Sequence, residues 1–352
     1  MTTSVIYSFN KTGAEADYWM REIAASSRGD FRMIPFNHQA YLDPQLYVRA
    51  QLLDNLYFKG HPGLLAMYRD LERVLQQESA AALIVDNCHP YHPEFLRRLP
   101  IYKVLRINDG PMSAYDRDFA YAHAYNLVLY HSLAYSRDLE MPEKLDYLRV
   151  PDHALWPLGA FDAMADPAMS EGEVLGGVRD IEIVFVGALH FNKMPFIARL
   201  KKRYGRRLAL RGLANWKRNL YFNAKFGFPG FVTPIEIEEF SPLYLRSKIG
   251  INLHNRGEFT FGNYRLFDLP CNGVVQVCDG GNRASRFFEP GVEILSSATE
   301  NEMIANIDRL LADDELRQRI AAAGYRRANA EHRMRNRFDE LVHILTGRLK
   351  AL

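Results

Sequence analysis

Cysteine is scarce in this sequence, with only Cys88, Cys271 and Cys278 among 352 residues. So sparse and odd a set, without paired spacing, excludes a disulfide framework and a cysteine metal knuckle, and it suits a reducing compartment. Long apolar runs are also missing. No stretch approaches the roughly twenty residues that cross a bilayer, and Met1 to Phe9 is too short and polar for a signal-peptide core. The expectation is a cytoplasmic protein without a transmembrane segment. Charge of one sign is lacking as well, because 44 Lys and Arg stand against 42 Asp and Glu. That balance gives no global field for a polyanion, and nucleic acid is not an expected partner. The phosphate-loop Gly-Lys motif, the Gly-x-Ser-x-Gly elbow, Gly-x-Gly-x-x-Gly and any solenoid-length repeat are all absent.

What is present is globular composition, 48% hydrophobic and 24% charged, in a chain longer than one core usually serves. Ser4 to Phe9 is a short apolar strand, and Ala14 to Ala25 follows with helical spacing at Ala16, Trp19, Met20 and Ile23. A helical stretch from Gly63 to Gln77 leads into Ala81 to Val85, an uninterrupted apolar run of the kind buried in parallel sheets. Tyr102 to Ile107 and Asn126 to Tyr130 continue the series, and Leu145 to Val150 is expected to close it as a strand. Trp156 to Gly177 changes texture to scattered Pro, Gly and acids, the composition of a linker. A second series then opens with Asp180 to Gly187, a helix at Pro195 to Tyr204 and strands at Arg207 to Arg211, Ile249 to Leu253 and Val274 to Val277. From Thr299 to Ile344 the pattern is helical. The arginines Arg326, Arg327, Arg333, Arg335 and Arg337 alternate with apolar residues there and are expected on a solvated helix face.

Strands alternating with helical intervals, twice over, predict an α/β protein of two Rossmann-like domains with parallel sheets facing a central cleft. The expected boundaries are a first domain at 1–158, a linker at 159–179, a second domain at 180–330 and a C-terminal helix at 331–352.

Several stretches, in order, resemble GT-B glycosyltransferases of the CgeB type and, more distantly, retaining glycosyltransferase family four. Asn263-Tyr-Arg-Leu-Phe-Asp-Leu-Pro-Cys-Asn-Gly-Val-Val275 carries the likeness best, supported by Phe288 to Glu293, Phe185-Val-Gly187, Trp156 to Asp162, Leu311 to Ile320 and Glu331-His332. Family four commonly brackets the preceding loop with two glutamates. The corresponding positions here are Thr260 and Asp268, with Glu258 two residues out of register.

The resemblance implies a metal-independent, retaining hexosyltransferase-like enzyme that uses a nucleoside diphosphate sugar as substrate, a UDP-sugar being slightly favoured, with no further cofactor. The acceptor stays open among protein, glycan, lipid-linked intermediate and small molecule. Asp268 is the ribose candidate by resemblance, and Asn263, Tyr264 and Arg265 are placed to face the diphosphate. Gly187, Lys193 and Arg211 follow strand ends, where open parallel sheets bind ligands. In the first domain the loops after Val85 and Ile107 bring His89, His92, Asn108 and Asp109 forward as acceptor-side or catalytic candidates. Neither Cys88 to His92, broken by Pro90, nor Asp116-Arg-Asp118, set among helix formers, forms a metal-ligand pattern. Two alternatives remain: a catalytically silent nucleotide-sugar-binding or structural protein that lost its first acid at Thr260, and a sugar-nucleotide epimerase of the GT-B fold.

Overall fold

The computed structural model describes residues 2–350 except 87–89, 108–114, 136–138, 213–215, 228–230 and 255–261, with backbone alone at 44 and 115–117. The chain divides into two compact units, Met1–Pro157 with Arg335–Leu352, and Leu158–Met334.

The first unit holds strands β1 (Thr3–Phe9), β2 (Phe31–Asn37), β3 (Ala82–Val85), β4 (Tyr102–Ile107), β5 (Leu127–Tyr130) and β6 (His153–Leu155). They lie in the order β2-β1-β3-β4-β5-β6, and every pairing is parallel. Parallel strands need crossover helices on both faces, which is why β3 is apolar without alternation and buried at all four residues. Ala16, Trp19 and Ile23 of the helix Gly13–Ala25 lie along one buried stripe, as do Leu64, Met67, Leu71 and Leu75 of the helix Pro62–Gln77. β2 carries Pro35 and escapes sequence reading; it sits at the sheet edge, where a missing N–H is tolerated.

One expected strand is corrected. Leu145 to Val150 is not a strand: Met141–Tyr147 is a helix, with Pro142 in its first turn and a Glu140–Glu143 capping box, and β6 comes later. Met141 and Leu145, four apart, are its buried residues, a helical spacing rather than an alternating one.

The helix Met334–Leu349 completes this unit. The Phe338 ring stands 5.8 Å from Trp156 and 6.1 Å from Tyr7, and the Trp156 indole N–H donates to the Arg337 carbonyl. The expected solvated arginine face is likewise corrected. Arg333 and Arg337 are buried, Arg333 donating to Asp162 at 2.7 Å and Arg337 to Glu340 at 2.6 Å, whereas Arg326 is exposed and pairs with Glu171. A guanidinium on a long stem can be interred where a carboxylate meets it.

The second unit holds β7 (Ile181–Val186), β8 (Leu208–Arg211), β9 (Ser247–Asn252), β10 (Val275–Asp279) and β11 (Leu295–Ser297), in the order β11-β10-β9-β7-β8 and all parallel. The chain runs from β7 out to β8, then crosses back past β7 to lay down β9, β10 and β11 on the other side. That reversal puts a topological switch point between the carboxyl ends of β7 and β9. Much of the segment expected as a linker is integral to this unit. Ala160, Phe161 and Ala165 are buried, Ala160 exchanges backbone bonds with His332 and Met334, and a Ser170–Glu173 capping box opens the helix Glu171–Gly176.

Candidate functional site

The most developed polar arrangement in the second unit sits at the β7/β9 switch point. β7 ends at Val186 and β8 at Arg211, each followed by glycine with positive φ, 152° at Gly187 and 156° at Gly212. A Cβ on Gly212 would stand 2.1 Å from the Gly187 carbonyl oxygen, and one on Gly187 would stand 2.0 Å from Nη1 of Arg265. Both glycines are therefore demanded by close approach as well as by backbone conformation. Gly187 leaves room for the Arg265 guanidinium, a reason different from the direct approach of phosphate that its strand-end position suggests.

Arg265 opens the helix Arg265–Cys271 and sends its side chain across the strand ends. Nη1 donates to the Val186 carbonyl at 2.7 Å, Nη2 to Leu253 at 2.9 Å and Nε to Asn252 Oδ1 at 3.2 Å. A buried amide relay holds it there. Asn252 donates to Gln276 Oε1 at 2.8 Å and accepts from Asn263 Nδ2 at 2.8 Å, and Asn263 Oδ1 accepts from the Leu266 N–H at 3.1 Å. Asn263 is thus a positioning residue that caps the helix and orients the acceptor of Arg265. Tyr264, half-buried, packs its ring 5.5 Å from Phe161.

Lys193 precedes the helix Met194–Tyr204 and donates from Nζ to the same Leu253 carbonyl at 2.9 Å. It is only 6% exposed, and burial first, then the neighbouring Arg265 charge, push its ammonium down to about 7. Two cations share one carbonyl oxygen. His190 lies in the same field, its ring pushed below the usual histidine range by burial, Lys193, Arg218 and Arg265. Arg218 reaches in from the helix Trp216–Phe226 and donates to the Leu189 carbonyl at 3.1 Å. The opposing acid is Asp279 at the end of β10, which accepts from the His254 N–H at 3.0 Å and from its ring Nδ1 at 2.6 Å. His254 is buried, and burial holds its ring neutral more strongly than Asp279 favours the charged form. A cavity of about 200 Å3 starts at Lys193 and is lined by Leu253, His254, Asp279, Ser297 and Thr299. Arg211 ends β8 half-buried, one guanidinium N–H on the Leu210 carbonyl at 3.1 Å.

Asp268, the ribose candidate, is in the same helix as Arg265 but only 4% exposed. Its Oδ1 is buried without a hydrogen-bond partner, and burial raises the carboxyl to about 8 against the pull of Arg265. A buried acceptor left open in this way is uncommon and calls for a donor.

The structure therefore brings Gly187, Lys193, Asn263 and Arg265 together. Sequence reasoning missed Asn252, His254, Asp279, Arg218 and His190. The signal for the first three was available, because each polar residue ends or follows an apolar parallel strand, where ligands are met.

His89, Asn108 and Asp109 of the first unit lie outside the described residues, as do Cys88 of the same unit and Glu258 and Thr260 of the second. Beneath the carboxyl ends of β3 and β4, buried Arg106 donates to Asp86 at 3.1 Å and to the Tyr7 hydroxyl at 2.9 Å. His92 takes a structural position. It caps the helix Pro93–Arg98, stacks on Tyr57 with ring centroids 4.0 Å apart and bonds Asp54 at 3.0 Å.

Residues 193–343 match a protein family described as "Glycosyl transferase-like". No curated protein matches the chain in sequence. Solved structures share the whole fold at low identity, among them the following three. Sucrose-phosphate synthase from Thermosynechococcus elongatus superposes with a TM-score of 0.63 at 12% identity, covering 99% of this chain and 100% of the other. HepE from Anabaena, in complex with UDP, gives 0.59 at 10%, covering 99% and 100%. A protein assigned as a UDP-N-acetylglucosamine 2-epimerase, from Listeria monocytogenes, gives 0.53 at 12%, covering 94% of each chain. With two Rossmann-like units of six and five parallel strands, the chain has the GT-B fold, and its stretch 193–343 is similar to a glycosyl transferase-like family.

Proposed function

We propose that the protein transfers a hexose-type sugar from a nucleoside diphosphate donor, a UDP-sugar first, to an acceptor still to be identified, with retention of configuration and without a metal ion. The observation that carries this reading is the convergence of Lys193 and Arg265 on the Leu253 carbonyl beside the Gly187–Gly212 backbone. A buried lysine and a half-buried arginine converging at a switch point suit a ligand that carries negative charge, and a diphosphate is such a ligand. As the glycosidic bond to phosphate breaks, charge accumulates on the leaving diphosphate, and fixed cations stabilise it without reorganising. Asp268 accepts from the ribose hydroxyls, which would fill the open Oδ1. Asp109, Asn108 and His89 are proposed to serve the acceptor side.

The test is calorimetry with UDP and UDP-glucose. Lys193→Met is expected to weaken both by tenfold or more, since a charge-assisted bond is worth about 1.5–3 kcal/mol. Unchanged affinity in the folded variant would sink the assignment. The epimerase-like neighbour keeps a second reading in play. Incubation with a donor panel separates the two, because an epimerase returns isomerised donor and a transferase releases nucleoside diphosphate.

A further inference from the structure

Between Glu182 and Glu236 the sequence contains no acidic residue and eleven Lys or Arg, although the whole chain is nearly neutral. Within that stretch lies the helix Trp216–Phe226. Its inner face is anchored: Phe222 is buried, and the Asn219 side chain brackets Val232, donating to its carbonyl at 3.3 Å and accepting from its N–H at 2.9 Å. The outer face is apolar where a surface helix is ordinarily polar. Trp216 is 69% exposed and Leu220 62%, one turn apart, with Tyr221 alongside. Phe191 meets Tyr221 edge-on at 5.8 Å and is exposed too, as is Phe231. Lys217 lies over the Trp216 ring at 5.6 Å, and Lys225 over Tyr221 and Phe191 at 5.5 and 5.8 Å.

We propose that this face is an interfacial membrane-binding surface, seating Trp216, Leu220 and Phe191 among the headgroups of an anionic bilayer while Lys217 and Lys225 meet the lipid phosphates. Charge complementarity fixes the sign of the partner. The aromatic and aliphatic side chains between the lysines favour a lipid surface over a nucleic acid, whose backbone offers them nothing to enter. Among the described residues no helix is long and apolar enough to cross a membrane, so attachment is peripheral. The same helix sends Arg218 to Leu189, beside the cation cluster, so the membrane face borders the candidate donor site. The inference does not depend on the donor reading.

Trp216 makes the test direct, because the chain's other tryptophans, Trp19 and Trp156, are 1% and 0% exposed. The full chain is mixed with phosphatidylcholine vesicles, with or without phosphatidylglycerol, and followed by co-sedimentation and tryptophan emission. Binding is expected only with the anionic lipid, to fall with salt, and to bring a blue shift that brominated acyl chains quench. Each cation near such a surface is worth roughly fivefold in partitioning, so Lys217→Glu with Lys225→Glu should weaken binding by at least about tenfold. Trp216→Ser with Leu220→Ser should do the same, and Lys59→Glu, outside this face, should not. Thermal melts check folding, and Phe191→Ser, on a loop, repeats the test away from the helix. The proposal is overturned if the protein stays in the supernatant with anionic vesicles. It is equally overturned if the charge-reversal and serine variants bind as the parent does, or if single-stranded RNA but not vesicles is bound through this face.

Discussion

If Lys193 and Asp268 hold the donor as proposed, the pH profile of donor binding has an unusual form. Lys193 must be protonated to meet diphosphate, yet burial and Arg265 bring its ammonium down to about 7. Asp268 must be ionised to make charge-assisted bonds to both ribose hydroxyls, yet burial raises it to about 8. The competent state is therefore the reverse of the one each group prefers between those values. Treated as independent groups, they give about one competent molecule in twenty at the midpoint near pH 7.5, which lowers the apparent affinity by the same factor. Away from the midpoint the fraction falls by up to tenfold per pH unit on each side, because one proton is in the wrong place. UDP-glucose is the ligand to use, since its diester phosphates do not titrate in this range. Calorimetry between pH 5.5 and 9.5 should give a bell, each variant lacking one limb: Lys193→Met flat on the alkaline side, Asp268→Asn flat on the acid side. A profile flat from pH 5.5 to 9.5 in the parent, or a bell unchanged in either variant, refutes the reasoning.

Other outcomes follow from the same contacts. Asp268→Asn should stabilise the protein against heat. A carboxyl at about 8 when folded against an ordinary value of 3.8 keeps its full stability below pH 3.8 and loses it as pH rises to 8. The gain in melting temperature over the parent should therefore grow across that window and level off above it; a constant gain would place the effect elsewhere. Gly187→Ala should displace Arg265, whose Nη1 would lie 2.0 Å from the new Cβ, and weaken UDP at least tenfold by calorimetry with little change in fold by circular dichroism. Asn252→Leu removes the acceptor shared by Asn263 and Arg265 and should weaken UDP several-fold in calorimetry, with a smaller loss on charge-neutral ligands. Asp109→Ala should spare nucleotide affinity and reduce turnover, and turnover should survive a chelator.

The sheets were legible because buried parallel strands are short and mostly apolar: β3 is so throughout, and β4 and β7 keep apolar stretches at 104–105 and 183–186 despite Lys103, Arg106 and Glu182. β2 was not, since Pro35 breaks the run and only an edge position makes it acceptable. The site was legible at the level of strand ends. Gly187, Lys193 and Arg265 could be nominated from position, but not the direction of any side chain. Arg265 reaches back over two strand termini, a contact between residues 79 apart in the chain that no local pattern encodes.

Asp268 shows the limit most sharply. From Leu266 to Cys271 its helix is buried at every position, so there is no polar stripe from which to infer which way a carboxylate turns. A sequence can say that an acid stands near a diphosphate site. Whether that acid is exposed and ionised, or interred and protonated until a ligand supplies donors, depends on the packing around it. Here the difference decides the chemistry. On the proposed reading, an ionised carboxylate beside Arg265 would cancel part of the positive field offered to a diphosphate, whereas a protonated one leaves that field intact until ribose hydroxyls approach.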